Sequence, residues 1–200
     1  MSIFTFPEIL PSKCSFKVQA NTKALFSPYN QVEEIWQGSG EKWLVSLYYR
    51  VLKREDGIAL RAHIHRLQGQ VNRTQIRDFS HINRGSFAGT PLVNSAGQYG
   101  LVLNVKGFTA NTAVAFAGDR FQVADRLHEL TADVISDVLG NATLPLWPEI
   151  INSPAINEPL ITLNPRSKFM VKDPMQMPDF ARSARFFKDI RLDFIETLRP

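Results

Sequence analysis

The chain has four histidines and one cysteine, the residues that could bind a metal ion through nitrogen or sulfur. His63 and His65 are the closest pair, within a stretch whose spacing predicts a helix. Successive helical residues are about 100° apart, so the two imidazoles point about 200° apart and cannot bind one ion from the same face. His81 and His128 lie far away, without carboxylates at ligand spacing. The sequence therefore predicts no metal site, and exposed positions for His63 and His65.

Cys14 is the residue whose type could act as a strong nucleophile. A catalytic cysteine needs a neighbouring base, and the sequence around it, PSKCSFK, matches no nucleophile signature. Because it is the only cysteine, an internal disulfide is excluded. We interpret the segment as exposed and Cys14 as a small apolar side chain or a bystander.

Four aspartates in the middle of the chain could suggest a calcium site: Asp119, Asp125, Asp133 and Asp137. The ligand loop with its terminal glutamate is missing, so they are interpreted as solvated strand faces and turn caps. GSG at 38–40 and GQYG at 97–100 lack the strand and helix context of a nucleotide-binding loop and are interpreted as turns. We thus predict no catalytic, cofactor-binding or metal-binding residue, no cofactor, and no enzymatic activity.

The composition is that of an ordinary folded protein, with 44% hydrophobic and 21% charged residues in 200. The formal net charge is +4, but the basic residues are scattered rather than clustered, so we expect no specific nucleic-acid binding. The first residues, MSIFTFPEILPSK, lack the basic start of a signal peptide. No apolar run is long enough to span a bilayer. We therefore expect no membrane anchor and a protein that stays soluble where it is made.

Three segments alternate with a period of two, which places successive side chains on opposite faces of a sheet. In segment 15–20 the apolar face consists of Phe16, Val18 and Ala20. In segment 42–51 it consists of Trp43, Val45, Leu47, Tyr49 and Val51. In segment 184–198 it consists of Phe186, Ile190, Leu192, Phe194 and Leu198. Each segment is predicted to be a half-buried strand.

The spacing changes to that of a helix in the run DGIALRAHIHRLQGQV. Apolar residues recur three or four positions apart, at Leu60, Ile64, Leu67 and Val71. Polar residues point away from this stripe, at Arg61, His65 and Gln68. Asp56 is a suitable N-cap, and Gly69 with the polar NRTQ ends the pattern. We predict one helix of about 13 residues packed on the sheet.

Glycine and proline punctuate the middle of the chain. Seven of the 11 glycines fall between residues 85 and 140, which is typical of short strands joined by tight turns. Composition shifts near residues 85 and 162 indicate a small all-β module inserted between a barrel-like amino-terminal half and returning carboxy-terminal strands. We predict a mainly β fold with 1–84 and 162–200 as one discontinuous domain and 85–161 as the inserted one.

The window 116–150 supports two interpretations. Leu127, Leu130, Val134 and Val138 have the spacing of a buried helical stripe. In the strand interpretation, Phe121 and Val123 alternate with Gln122 in a first strand, and residues 125–126 form a turn. Residues 139–142 then reverse the chain before a strand that contains Leu144 and Leu146. In that interpretation one strand face carries Leu130, Ala132, Val134, Ser136 and Val138. The strand interpretation is preferred because turn signals bracket the window and its neighbours are strands.

A family resemblance rests on several of these patterns. SAGQYGLVLNV is followed by AGDRFQV, then by VLGNATLPLWPEI, and the chain ends on an alternating strand with DFIETL. Together with the helix-bearing first half, this order resembles the distal tail proteins of long-tailed bacteriophages, most closely those of siphophages with flexible tails. The resemblance runs from about residue 35 onward and does not include MSIFTFPEILPSK. It is best at residues 96–100, 117–123 and 185–198.

The resemblance implies a split β-barrel domain with one helix and an inserted small barrel resembling an oligonucleotide/oligosaccharide-binding (OB) fold. It also implies a homohexameric ring at the virion tail tip, between the tail tube protein and the baseplate hub protein, with a lumen for DNA. The inserted barrel would face tail fibre or collar proteins. Such a protein is made in the cytoplasm of the host bacterium.

Two alternatives from other classes stay open. A split barrel is also the fold of flavin-binding enzymes, which would require bound flavin. An OB-type module could bind nucleic acid if aromatic platforms were flanked by basic residues. The candidate platforms are Phe108, Phe116 and Phe121, with only Lys106 and Arg120 near them in sequence.

Overall fold

The structure is a computed structural model that describes residues 1–175, 178–183 and 185–198, with the backbone alone at 182 and 183. The described chain is mainly β, as predicted, and contains one helix, α1 (Arg54–Leu67). Its strands, in chain order, are β1 (Ile3–Thr5), β2 (Lys13–Gln19), β3 (Thr22–Phe26), β4 (Glu33–Gln37), β5 (Lys42–Lys53), β6 (Arg73–Arg77), β7 (Gly89–Val93), β8 (Gly100–Phe108), β9 (Ala113–Ala115), β10 (Arg120–Val123), β11 (Arg126–Leu130), β12 (Val134–Ile135), β13 (Ala142–Ile150), β14 (Arg166–Val171), β15 (Arg182–Ser183) and β16 (Phe186–Glu196).

The largest sheet draws its strands from both ends of the chain. Its order is β1-β6-β14-β16-β5-β2, and β15 also pairs with β16. The β1–β6 pair is parallel and the others are antiparallel. β16 runs along β5 from Phe186 opposite Lys53 to Ile195 opposite Leu44. The prediction that the carboxy-terminal strand joins the amino-terminal sheet is therefore confirmed.

The alternating faces of this sheet follow the sequence except near one residue. Asp189 has a φ of 54°, and the burial pattern shifts by one position on either side of it, so that Phe187 is buried and Phe186 is exposed. On the paired strand the same shift buries Leu52 and exposes Val51. The prediction that Phe186 and Val51 lie on the core face was wrong. It assumed strict alternation along both strands, and an aspartate in the left-handed region interrupts that alternation.

The remaining predicted core positions of these strands are confirmed, and they are Trp43, Val45, Leu47, Tyr49, Ile190, Leu192 and Phe194. On β2, Phe16 and Val18 are half-buried, whereas Ala20 lies past the strand end and is exposed. Leu198 lies past the end of β16 and is half-buried. Ala184, the first residue of the predicted strand, lies outside the described residues.

Helix α1 packs on the sheet through Leu60, Ile64 and Leu67, as the spacing predicts. Its N-cap is Lys53, so the choice of Asp56 was wrong; Asp56 lies in the first turn, where a carboxylate favours the helix dipole. Gly57 is required where the helix meets β16, because a Cβ there would lie 2.1 Å from Phe187 Cδ2.

Helix α1 ends just before Gly69, the glycine that was predicted to end it. Gln68 is the C-cap, with a φ of 49°, and Gly69 follows in the left-handed region. Val71 lies beyond the helix and is exposed, contrary to its predicted place in the apolar stripe. With 14 residues and many charges, α1 is too short and too polar to cross a membrane.

The second sheet comes from the middle of the chain, in the order β10-β11-β13-β8-β7. The window 116–150 forms strands, so the helical interpretation is rejected. Ala124 and Asp125 make the hairpin turn between β10 and β11, one residue earlier than predicted. Their φ values of 48° and 59° fit a two-residue turn of the type that matches strand twist.

The predicted face in this window is partly right. Leu130, Val134 and Ser136 are buried, whereas Ala132 and Val138 are exposed. Ala132 lies in the bend between β11 and β12, and Val138 lies in the turn after the two-residue strand β12. On β13, Leu144 and Leu146 are buried and alternate with more exposed neighbours, as predicted. These residues belong to a second apolar core, separate from that beneath α1.

Candidate functional site

The β3–β4 hairpin is the most exposed regular structure in the described chain. β3 pairs with β4 alone, from Thr22 opposite Gln37 to Phe26 opposite Glu33. All five residues of each strand are exposed. The hairpin follows β2 and precedes β5, so it extends that strand pair past the edge of the large sheet.

Local hydrogen bonds define the hairpin at both ends. At its base, Asn21 Nδ2 donates to Ser39 O at 2.8 Å and Gly38 N donates to Asn21 O at 2.8 Å. At its tip, Ser27 N donates to Val32 O at 2.9 Å. The backbone shape is therefore set by the hairpin itself, and nothing in the described chain covers its sides.

Large apolar side chains crowd this uncovered hairpin. Those exposed by about half or more are Leu25 48%, Phe26 61%, Tyr29 97%, Val32 61%, Ile35 64% and Trp36 57%. Opposite residues of an antiparallel pair share a face, so Phe26 and Ile35 lie on one face while Leu25 and Trp36 lie on the other. An isolated two-stranded hairpin is marginally stable in water, and its outer edges are open to pairing. This surface has the chemistry of a protein interface.

A buried ion pair joins the two sheets. Arg126 Nη2 on β11 lies 3.2 Å from Glu196 Oε2 on β16, and the carboxylate side chain is 1% exposed. Glu196 also accepts from Ser167 Oγ at 2.6 Å and from Trp43 N at 3.1 Å. Arg126 Nη1 donates to Glu149 O at 2.6 Å. This cluster ties both sheets together.

A second cationic side chain lies at a cavity of about 430 Å³ between the sheets. Arg120 pairs with Asp78 and, at 2.7 Å, with Glu129. Asn83 Nδ2 donates to Arg120 O at 2.8 Å, and Asn83 Oδ1 accepts from Arg120 N. Because these polar groups already bind one another, the arrangement is that of a structural junction rather than of a ligand site.

The structure separates the histidines that the sequence singles out. His63 is buried, not exposed as predicted, and its Nε2 lies 2.9 Å from Thr74 Oγ1. His65 is exposed on the opposite side of α1. His81 lies in the wall of the cavity near Arg120, and His128 is buried in the second sheet with Nδ1 at 2.8 Å from Pro148 O. No group of three potential metal ligands occurs among the described residues.

The two buried histidines should make the fold sensitive to acid. Burial, with Arg66 nearby, lowers the pKa of His63 to about 4. Burial, with Arg126 nearby, lowers the pKa of His128 to about 3. An unfolded histidine titrates near pH 6.5, so as the pH falls below about 6.5 the unfolded chain binds protons that the folded chain does not. Stability is therefore complete above about pH 6.5 and is lost as the pH falls toward these lower pKa values.

When the pH is lowered from 7 to 5, protonation of each histidine in the unfolded chain should lower the free energy of unfolding by about 2 kcal/mol. Urea unfolding at the two pH values measures the loss. A His63→Gln variant should lose about 2 kcal/mol less than the parent over that interval, whereas the control His65→Gln should lose as much as the parent. Equal losses in the parent and His63→Gln would contradict a neutral buried His63.

Cys14 is half-buried, although its segment looked exposed in sequence. Its Sγ donates to Asp78 Oδ1 at 3.4 Å. Burial and the Asp78 carboxylate raise the pKa of the thiol to about 11. The thiol is therefore held protonated at neutral pH, which is unfavourable for a nucleophile.

The four aspartates do not converge. Asp119 was predicted to be solvated, but it is fully buried. Its carboxylate accepts hydrogen bonds from the backbone N–H groups of Arg84, Gly85 and Phe116 at 2.6–2.8 Å. The other three are exposed, and Asp137 caps a turn as predicted by accepting from Leu139 N and Asn141 N. These roles are structural.

The aromatic platforms considered for nucleic acid are also unsuitable as a set. Phe108 and Phe121 are buried in the second core, while Phe116 is half-buried beneath the Arg84 guanidinium, 5.5 Å from its ring centroid. Bases could not stack on the two buried rings.

The hairpin is not among the sites predicted from the sequence. NTKALFSPYNQVEEIWQ shows no regular alternation, and its apolar residues look like core candidates when only their types are known. The sequence matches no protein-family model and no curated protein.

Proposed function

We propose that this chain is a structural, non-enzymatic virion protein of a bacteriophage. In this proposal it is a distal tail adaptor that forms a six-subunit ring at the tail tip, between the tail tube protein and the baseplate hub protein, with a lumen through which DNA passes. The observation that carries the proposal is the β3–β4 hairpin, which projects large apolar side chains that no other described part of the chain covers.

A projecting hairpin suits a ring because a ring needs head-to-tail contacts. In such a contact one surface of each subunit binds a different surface of the next, and the series closes when the rotation permits. The exposed faces of the hairpin supply apolar contact area, and its open edges supply backbone donors and acceptors for strand addition. Residues at the base, such as Asn21, keep the hairpin shape before assembly.

The finer architecture belongs to the same proposal. Residues 1–84 and 162–200 would form the split-barrel, ring-forming domain, and residues 85–161 an inserted OB-like barrel that meets fibre or collar proteins. Two observations support this division. The large sheet combines strands from both chain ends, and the buried apolar residues form two cores, one per sheet except that Leu127 of β11 belongs to the core of the large sheet. Synthesis would take place in the cytoplasm of the host bacterium.

Mass photometry of the purified protein tests the proposal, alone and mixed with candidate tube and hub proteins of the same phage. We expect a species of six times the 22.6 kDa of the chain, which negative-stain images show as a ring with a central hole. A stable dimer that binds neither tube nor hub protein would contradict it. Visible flavin absorbance in the purified protein, or salt-sensitive binding to single-stranded DNA, would favour the enzyme or nucleic-acid alternative instead.

A further inference from the structure

A polar groove lies on the second sheet, and no residue of the β3–β4 hairpin lines it. It encloses about 490 Å³ between the start of β13 and the ends of β7 and β12. Seven side chains with hydrogen-bonding groups line it: Asn94, Asn104, Asp133, Ser136, Asp137, Asn141 and Thr143. No role in the proposed ring uses these residues.

Buried hydrogen bonds fix one wall of the groove. Gln98 is buried, and its Oε1 accepts from Asn104 N at 2.6 Å. Its Nε2 donates to Ser95 O at 2.9 Å and to Asn104 O at 3.1 Å. The glutamine side chain therefore adds to the β8–β13 pairing in holding the backbone that carries Asn104.

A capped turn fixes the opposite wall. Asp137 Oδ1 accepts from Leu139 N and from Asn141 N, both at 2.8 Å. Asn141 Nδ2 in turn donates to Asp137 Oδ2 at 3.1 Å. Both walls are thus preorganised, which lowers the entropic cost of binding a ligand.

The groove retains hydrogen-bonding capacity that the internal contacts do not use. Thr143 Oγ1 donates to Asn104 Oδ1 at 3.0 Å, which leaves Asn104 Nδ2 without a partner among the described residues. Asn141 Oδ1 and the Asn94 amide group also have no hydrogen-bond partner among the described residues. Asp133 uses one oxygen, Oδ1, to accept from Ala117 N at 2.8 Å. Donors and acceptors therefore lie together in one open groove, unlike the mutually paired groups around Arg120.

We propose that this groove binds a neutral saccharide. Sugar hydroxyls both donate and accept hydrogen bonds, so they match a lining that mixes amide N–H groups with amide and carboxylate oxygens. The carboxylates of Asp133 and Asp137 disfavour a phosphate or another anion. The apolar floor and rim, with Val134 buried and Ile135 71% exposed, offer contact to the C–H face of a sugar ring. The inference does not depend on ring formation.

Saturation-transfer-difference NMR on the full chain tests this assignment, because the method reads weak binding by a monomer or a large ring alike. The probes are a maltose oligomer, a chitin oligomer and a galactose-containing oligosaccharide. We expect transfer to at least one of them, with a Kd on the order of 1 mM. The Asn104→Ala, Thr143→Val double variant should reduce the transfer at least about 10-fold, the equivalent of one lost hydrogen bond to a ligand.

The matched control is Thr90→Val, which removes an exposed strand threonine outside the groove. It should leave the transfer unchanged, and both variants should keep the parent's far-ultraviolet circular dichroism and melting temperature. Absence of transfer to all three probes would overturn the proposal. So would transfer that the folded double variant retains in full.

Discussion

Replacing Arg126 with methionine should lower the free energy of unfolding by about 3–5 kcal/mol, a large part of the 5–15 kcal/mol that stabilises a typical domain. The guanidinium is 10% exposed and the Glu196 carboxylate 1% exposed. Without Arg126, the carboxylate keeps its bonds to Ser167 Oγ and Trp43 N but loses its neutralising charge. Urea unfolding followed by tryptophan fluorescence measures the loss.

The control for this prediction is Arg191→Met, which removes an arginine from an exposed ion pair. Arg191 is 69% exposed and lies 3.0 Å from Asp193, a pair of the kind that contributes at most about 1 kcal/mol. The double variant Arg126→Met, Glu196→Gln should recover part of the lost stability, because residue 196 then no longer carries an unpaired buried charge. An Arg126→Met variant as stable as Arg191→Met would show that the buried pair does not hold the sheets together.

Assembly, in contrast, should depend on the hairpin. The triple variant Phe26→Thr, Ile35→Thr, Trp36→Thr keeps strand-favouring residues but removes the largest apolar side chains from both hairpin faces. If each contributes about 1 kcal/mol at the interface, the sum of about 3 kcal/mol should weaken subunit association by at least about 100-fold. Because these side chains are exposed in the single chain, its free energy of unfolding should change by less than about 1 kcal/mol. Mass photometry across a dilution series measures association.

A matched control removes other exposed apolar side chains. Val138 and Leu139 are 71% and 79% exposed and lie in the loop before β13, distant in sequence from the hairpin. The Val138→Thr, Leu139→Thr variant should assemble as the parent does. If the hairpin variant also assembled at parental concentrations, the interface would have to lie elsewhere on the chain.

The scaffold could be predicted from the sequence because its physical signal is local. Alternation identified β5 and β16, and the three-to-four spacing of Leu60, Ile64 and Leu67 identified α1. The errors arose where one residue breaks the pattern. A left-handed Asp189 shifts the burial of its neighbours, and no property of the aspartate in sequence distinguishes it from the other outward-facing charges of the strand.

The surfaces proposed to be functional could not be predicted, because they depend on what lies across from each residue. Trp36 and Trp43 are seven residues apart and equally apolar by type, yet one is 57% exposed and the other 2%. Likewise, Arg126 and Glu196 are 70 residues apart and carry no signature of pairing. The polar groove combines asparagines from β8 and from the loop before β13, and only the strand register brings them together.

Cryo-electron microscopy of the purified assembly would show directly which surface of each subunit forms the interface. We expect a closed ring of six subunits in which residues 22–37 of each lie against the next, with Phe26, Ile35 and Trp36 shielded from solvent. A twofold dimer, or a ring in which this hairpin contacts neither its neighbours nor the tube or hub proteins, would contradict the account.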